Sequence, residues 1–146
     1  MKTPLCILLL LLPAFIAAQD KNEWRRISTY EDGTVLELNT TKVTFGLGEI
    51  GRVILRVVWA KPDNVPGKPG MQYKTRLETV EFKCSQRQFR RLEMTLLDLQ
   101  DKPVYSFTGK TTDEWEQPKP KSLMNRVFDP ACALLNEKRQ KPDKEP

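Results

Sequence analysis

Residues 74–99 read Lys74-Thr-Arg76-Leu-Glu78-Thr-Val80-Glu-Phe82-Lys-Cys84-Ser-Gln-Arg87-Gln-Phe-Arg90-Arg91-Leu92-Glu-Met94-Thr-Leu96-Leu-Asp-Leu99. Two strand-like runs flank a short polar break at Ser85-Gln86-Arg87. In the first, Tyr73 to Cys84, the residues Val80, Phe82 and Cys84 share one face. In the second, Gln88 to Leu99, Leu92, Met94 and Leu96 fall together. Period-two alternation of apolar residues is the mark of half-buried strands, so the pair reads as antiparallel neighbours. The alternation slips near Leu96-Leu97, which marks a bulge or the end of the strand.

Upstream, Arg52 to Lys61 is the clearest strand, with Val53, Leu55, Val57 and Trp59 on one face. Lys61 to Gly70 holds three prolines and two glycines and reads as a long hairpin loop. Trp24 to Tyr30 reads as a first strand, Glu31-Asp32-Gly33 as a turn, and Thr34 to Asn39 as its partner. Val43 to Phe45 continues the meander. Gly46-Leu47-Gly48 is a turn, because no helix pattern follows it as a phosphate-binding loop would require. Asn39-Thr40-Thr41 is a formal glycosylation sequon.

Downstream, Asp101-Lys102-Pro103 is a turn and Val104 to Thr108 a short strand. Pro118 and Pro120 keep the chain around Trp115 extended, and Trp115 reads as cover for a core edge. Ser122 is a helix N-cap, followed by Leu123, Met124, Val127 and Phe128 at helical spacing. Asp129-Pro130 restarts the helix as a second piece, Ala131 to Leu135. Residues 136–146 carry no apolar side chain and read as a disordered polar tail.

Residues 1–18 have the form of a secretory signal peptide: Lys2, an apolar run Leu5 to Leu12, and small residues to Ala18. The run is shorter than the roughly 20 residues of a membrane span. The leader carries Lys2 and no acid, so its removal takes the formal charge from +5 to +4. About 128 residues remain, the size of one domain, 19–135, with its tail. Cys6 leaves with the leader, and Cys84 and Cys132 are expected to form a disulfide in an oxidising compartment.

The chain contains no histidine. That removes Ser-His-Asp and Cys-His mechanisms and the zinc-peptidase motifs. Two distant cysteines lack metal-ligand spacing, so no metal or cofactor is expected. The acid groups Asp98 with Asp101, and Asp113 with Glu114 and Glu116, lie in polar turns and read as solvated surface rather than general acids. No enzymatic role is expected.

The order of landmarks resembles the surface-adhesin protein E-like family of bacterial exported proteins. It is carried by Trp24-x-x-Ile27, Val53 to Trp59, Lys74, Val80-Glu81-Phe82-Lys83-Cys84 with Arg87 and Arg90-Arg91, Tyr105 to Gly109, Trp115, Ser122 and Cys132. The chain departs at Lys83, where an acid is expected, and at Pro130, which predicts a kinked helix. The resemblance implies an α+β fold: an antiparallel meander packed against a C-terminal helix with one disulfide. It also implies an adhesin-like role at the outer surface or in the periplasm, with host matrix proteins as partners.

The candidate ligand-binding set is Lys74, Arg76, Arg87, Arg90 and Arg91. Guanidinium groups suit carboxylate, phosphate or sulfate, and hence anionic polymers or proteins. Ion pairing with Glu78, Glu81 and Glu93 is the bland alternative. No nucleic-acid partner is expected. The rival account is an envelope-assembly protein that self-associates as a homodimer through a sheet edge.

Overall fold

The computed structural model describes residues 23–109 and 114–141. The expected signal peptide lies outside them. The described chain forms β1 (Trp24–Thr29), β2 (Val35–Asn39), β3 (Thr44–Phe45), β4 (Ile50–Asn64), β5 (Gln72–Lys83), β6 (Gln88–Leu97), β7 (Pro103–Thr108) and α1 (Leu123–Gln140). The strands make one antiparallel sheet in the order β1-β2-β4-β5-β6-β7, with β3 paired to β4. The fold is the expected one: an antiparallel meander with a C-terminal helix and a Cys84–Cys132 disulfide.

Alternation decides which residues meet the helix. Leu36 and Leu38 of β2, Val53, Leu55 and Val57 of β4, and Val80 and Phe82 of β5 are buried together. Facing them, Met124, Val127, Phe128, Ala131, Leu134 and Leu135 form the apolar stripe of α1 at i, i+3, i+4 spacing. Phe82 and Phe128 meet edge-on, ring centroids 5.4 Å apart, and full burial of each such side chain stabilises by about 1.5–3 kcal/mol. The disulfide joins the end of β5 to α1, with Cα atoms 5.8 Å apart.

Four expectations are corrected. The loop expected at Lys61 to Gly70 is shorter, because β4 runs on to Asn64. The ladder is interrupted between Val58 and Asp63, which accommodates Pro62 and its missing N–H, and then resumes as Asp63 opposite Tyr73. Val65 is buried beside Tyr73 and Leu96 in a second small core, which anchors the tight turn that follows.

The helix is one element, not two, with Pro130 inside it. Pro130 removes one backbone donor, but the apolar stripe continues on both sides of it and holds the helix to the sheet. Ser122 is the N-cap as expected, its side chain accepting from the Asn125 N–H at 3.2 Å. The polar tail does not begin at residue 136. The helix continues to Gln140, with Lys138 and Arg139 in its last turn, where cations complement the helix dipole.

The fourth correction concerns β6. The β5–β6 register shifts between the Thr79–Glu93 and Val80–Arg91 pairs, so Leu92 is an extra residue that reverses the alternation. Arg91 therefore lies on the helix side with Met94 and Leu96, although unbroken alternation would put it on the other face. A separate shift at Leu96/Leu97, in the pairing with β7, marks the end of β6.

Candidate binding face

The helix covers one face of the sheet. The opposite face carries ordered rows of charge, because cross-strand register brings the same positions into line. In one row Glu81 of β5 sits between Arg52 of β4 and Arg90 of β6. Arg52 donates to Glu81 Oε1 and Arg90 to Oε2, each at 2.7 Å. In the other, Glu37 of β2 sits between Arg26 of β1 and Arg56 of β4. Arg56 donates through Nε to Glu37 Oε2 at 2.7 Å, and Arg26 Nε lies 3.7 Å from Oε1.

A tryptophan caps each row. The Arg56 guanidinium lies 4.1 Å from the Trp24 ring centroid. Trp115 takes two cations, Lys83 at 4.1 Å and Arg90 at 4.6 Å. Trp115 thus covers a charged row rather than a core edge, and Lys83 has a clear role in holding it.

Burial alone would raise the Glu81 carboxyl, but the hydrogen bonds and charges of Arg52 and Arg90 outweigh it and hold the group below the usual carboxylate range. Arg26 and Arg52 keep 64% and 47% of their side chains exposed, so this face presents guanidinium to solvent.

Beside the Glu37 row lies an open cleft of about 440 Å³. Val35, Val58, Leu77 and Leu97 form its floor, with Trp24 and Arg26 at the β1 side and Asp101 at the β6–β7 turn. It crosses the strands rather than following one of them.

The five sequence-predicted cations do not form one patch. Arg90 belongs to the uncovered face. Arg76 and Arg91 are on the helix side, either side of buried Glu78, at 3.2 and 3.5 Å from its oxygens. Neither pair is aligned as a hydrogen bond, and Glu78 Oε2, Arg76 Nε and Trp59 Nε1 are buried without a hydrogen-bond partner among the described residues. Arg87 sits in the β5–β6 turn at φ +51° and pairs with Asp129 of the helix at 2.8 Å. Lys74 is half-buried on β5.

The sequence reading missed Trp24, Arg26, Glu37, Arg52 and Arg56 as a set. Period-two spacing signals that Arg52 and Arg56 share a face, but which tryptophan covers them depends on long-range register. Among the described residues no cluster of three or more His, Cys, Asp or Glu side chains could hold a metal ion, and no helix is long and apolar enough to cross a membrane.

The family model of surface-adhesin protein E matches residues 24–133. Two solved structures share the fold. Haemophilus influenzae protein E is 10% identical with a TM-score of 0.55, over 80% of this chain and 89% of that one. Protein E from non-typeable Haemophilus influenzae is also 10% identical, with a TM-score of 0.54 and 82% of each chain covered. No curated protein matches in sequence.

Proposed function

This chain belongs to the surface-adhesin protein E family, and on that basis we propose that it is an exported, non-enzymatic binding protein of the bacterial envelope. Its ligand contacts are the exposed guanidinium groups and capping tryptophans of the uncovered face. The observation that carries this reading is the pair of Arg–Glu–Arg rows, solvent-facing and lidded by Trp24 and Trp115. Arginine and tryptophan dominate the energetics of protein recognition sites. The buried carboxylates of this face act as counter-ions that set the arginine positions, an arrangement suited to binding rather than proton transfer. Host matrix proteins are the ligands tried first, with Arg26 and Arg52 as primary contacts.

Protease shaving of intact cells tests display. Cleavage before the envelope is opened supports surface adhesion, followed by binding assays against immobilised matrix proteins. Protection until the envelope is opened removes adhesion and leaves a periplasmic binding role.

Self-association is the second reading. The sheet ends at β7, where Phe107 is 52% exposed, and an open edge is a template for pairing. Light scattering showing a monomer at high concentration would remove it.

A further inference from the structure

We propose that the cleft on the uncovered face is a site for an extended bipolar peptide, with a carboxylate at one end, a lysine or arginine at the other, and aliphatic residues between. The inference rests on the reading of this face as a binding surface and names the class of partner.

Three observations carry it. The first is length. The lining residues come from β1, β2, β4 and β5, from Leu97 of β6 and from Asp101 in the turn beyond it. From β1 to β6 there are four interstrand intervals of about 4.8 Å, a path of about 19 Å. An extended segment of about six residues, at about 3.3 Å each, has that length.

The second is charge. Arg26 stands at the β1 side with most of its side chain exposed, and among the described residues its one ion pair is the 3.7 Å contact with Glu37. Arg56 and Glu37, by contrast, are committed to each other. Asp101 stands at the far end.

The third is the turn at Asp101, held at φ +59°, in the left-handed region where aspartate, like asparagine, is enriched. The turn does not use the Asp101 carboxylate. Asp98 closes it, accepting from the Gln100 and Lys102 N–H groups at 2.8 and 2.9 Å. Asp101 is exposed, and its carboxylate has no partner among the described residues. An exposed turn position therefore carries a free acid at the end of the cleft opposite Arg26. The aliphatic floor between them gives the middle of the peptide apolar contact, and Trp24 gives it a wall.

The test is fluorescence anisotropy with labelled hexapeptides on the folded, disulfide-bonded domain. The probe has glutamate at one end, lysine at the other, and leucine, valine and serine between. Wild type is expected to bind it saturably, and about tenfold more tightly than the peptide with glutamine at both ends. Asp101→Lys is expected to weaken the bipolar peptide about tenfold and to strengthen a peptide with glutamate at both ends. Arg26→Glu gives the mirror result with lysine at both ends. Both substitutions are at exposed side chains, and circular dichroism checks that each variant is folded. Equal binding of the bipolar and glutamine-ended peptides, or indifference to both substitutions, overturns the proposal. In that event, matrix-protein binding that persists keeps the adhesin reading. If intact cells protect the protein while the peptides behave as stated, the cleft assignment stands and surface adhesion does not.

Discussion

Leu135 of the helix packs directly onto Gly51 of the central strand β4. A Cβ built on Gly51 would overlap Leu135 Cδ2 and lie 2.6 Å from Cδ1 and 2.9 Å from Cγ. Rotation about χ2 moves the methyls but leaves Cγ in place, so relief needs a new χ1 rotamer in a filled core or a shift of the helix. Gly51→Ala is expected to destabilise the domain by about 1–3 kcal/mol, the cost of overpacking a filled core. Leu135→Ala alone costs about 2–5 kcal/mol. In the double variant the two losses are less than additive, measured as a coupling energy by denaturant unfolding. Strict additivity would mean that the helix sits elsewhere.

Glu81 makes stability depend on acidity. Its folded-state pKa is lowered by Arg52 and Arg90 against the opposing effect of burial. A depressed carboxyl stabilises fully above its unfolded value, and that contribution is lost as pH falls through the folded value. The window therefore opens below the ordinary value of 4.5 and extends downward. Glu81→Gln is expected to cost about 1.5–3 kcal/mol at neutral pH, the size of hydrogen bonds to charged groups. It is also expected to flatten the fall of the urea midpoint in acid. An unchanged acid slope would contradict the assignment.

Trp115 ties the segment after β7 back to the sheet. Glu116 and Phe89 exchange two backbone hydrogen bonds, each 2.9 Å long, next to the ring held by Lys83 and Arg90. Trp115→Ala is expected to lower stability by about 1 kcal/mol, the scale of exposed cation–π contacts. Amide exchange at Phe89 and Glu116 should quicken, while Val53 and Val80 stay protected. Uniform quickening across the sheet would mean that the tryptophan supports the whole fold.

Much of this architecture can be read from residue order. Val53, Leu55 and Val57 announce a half-buried strand, and Met124, Val127, Phe128 and Ala131 announce the helix. The faces of β6 cannot be read that way. Continuous alternation would place Arg90 with Met94 and Leu96. The bulge at Leu92 brings Phe89 and Arg91 to the helix side and turns Arg90 outward to Glu81. A one-residue insertion leaves no compositional trace, so the split of the arginines between two faces is a property of register. Glu78 is equally opaque. Nothing local shows that a carboxylate lies 3% exposed between two arginines on the helix side.

Pro130 lies within the helix and donates no backbone hydrogen bond. Pro130→Ala is expected to stabilise the folded domain by up to about 3 kcal/mol, the propensity difference at an interior helical position. Thermal unfolding reads the change, and a lower midpoint for the variant would show that proline shapes the helix to fit the sheet.

The element that completes the core follows every described strand in the chain. A chain threaded N-terminus first through a pore delivers all of its strands before α1, and Cys84 before Cys132. Through that interval the apolar residues of β2, β4 and β5 lack the cover of α1 and Cys84 lacks its partner Cys132. Premature oxidation would join two nascent chains rather than close one. In a chain delivered N-terminus first, closure of the bridge therefore waits on α1, after every described strand has emerged.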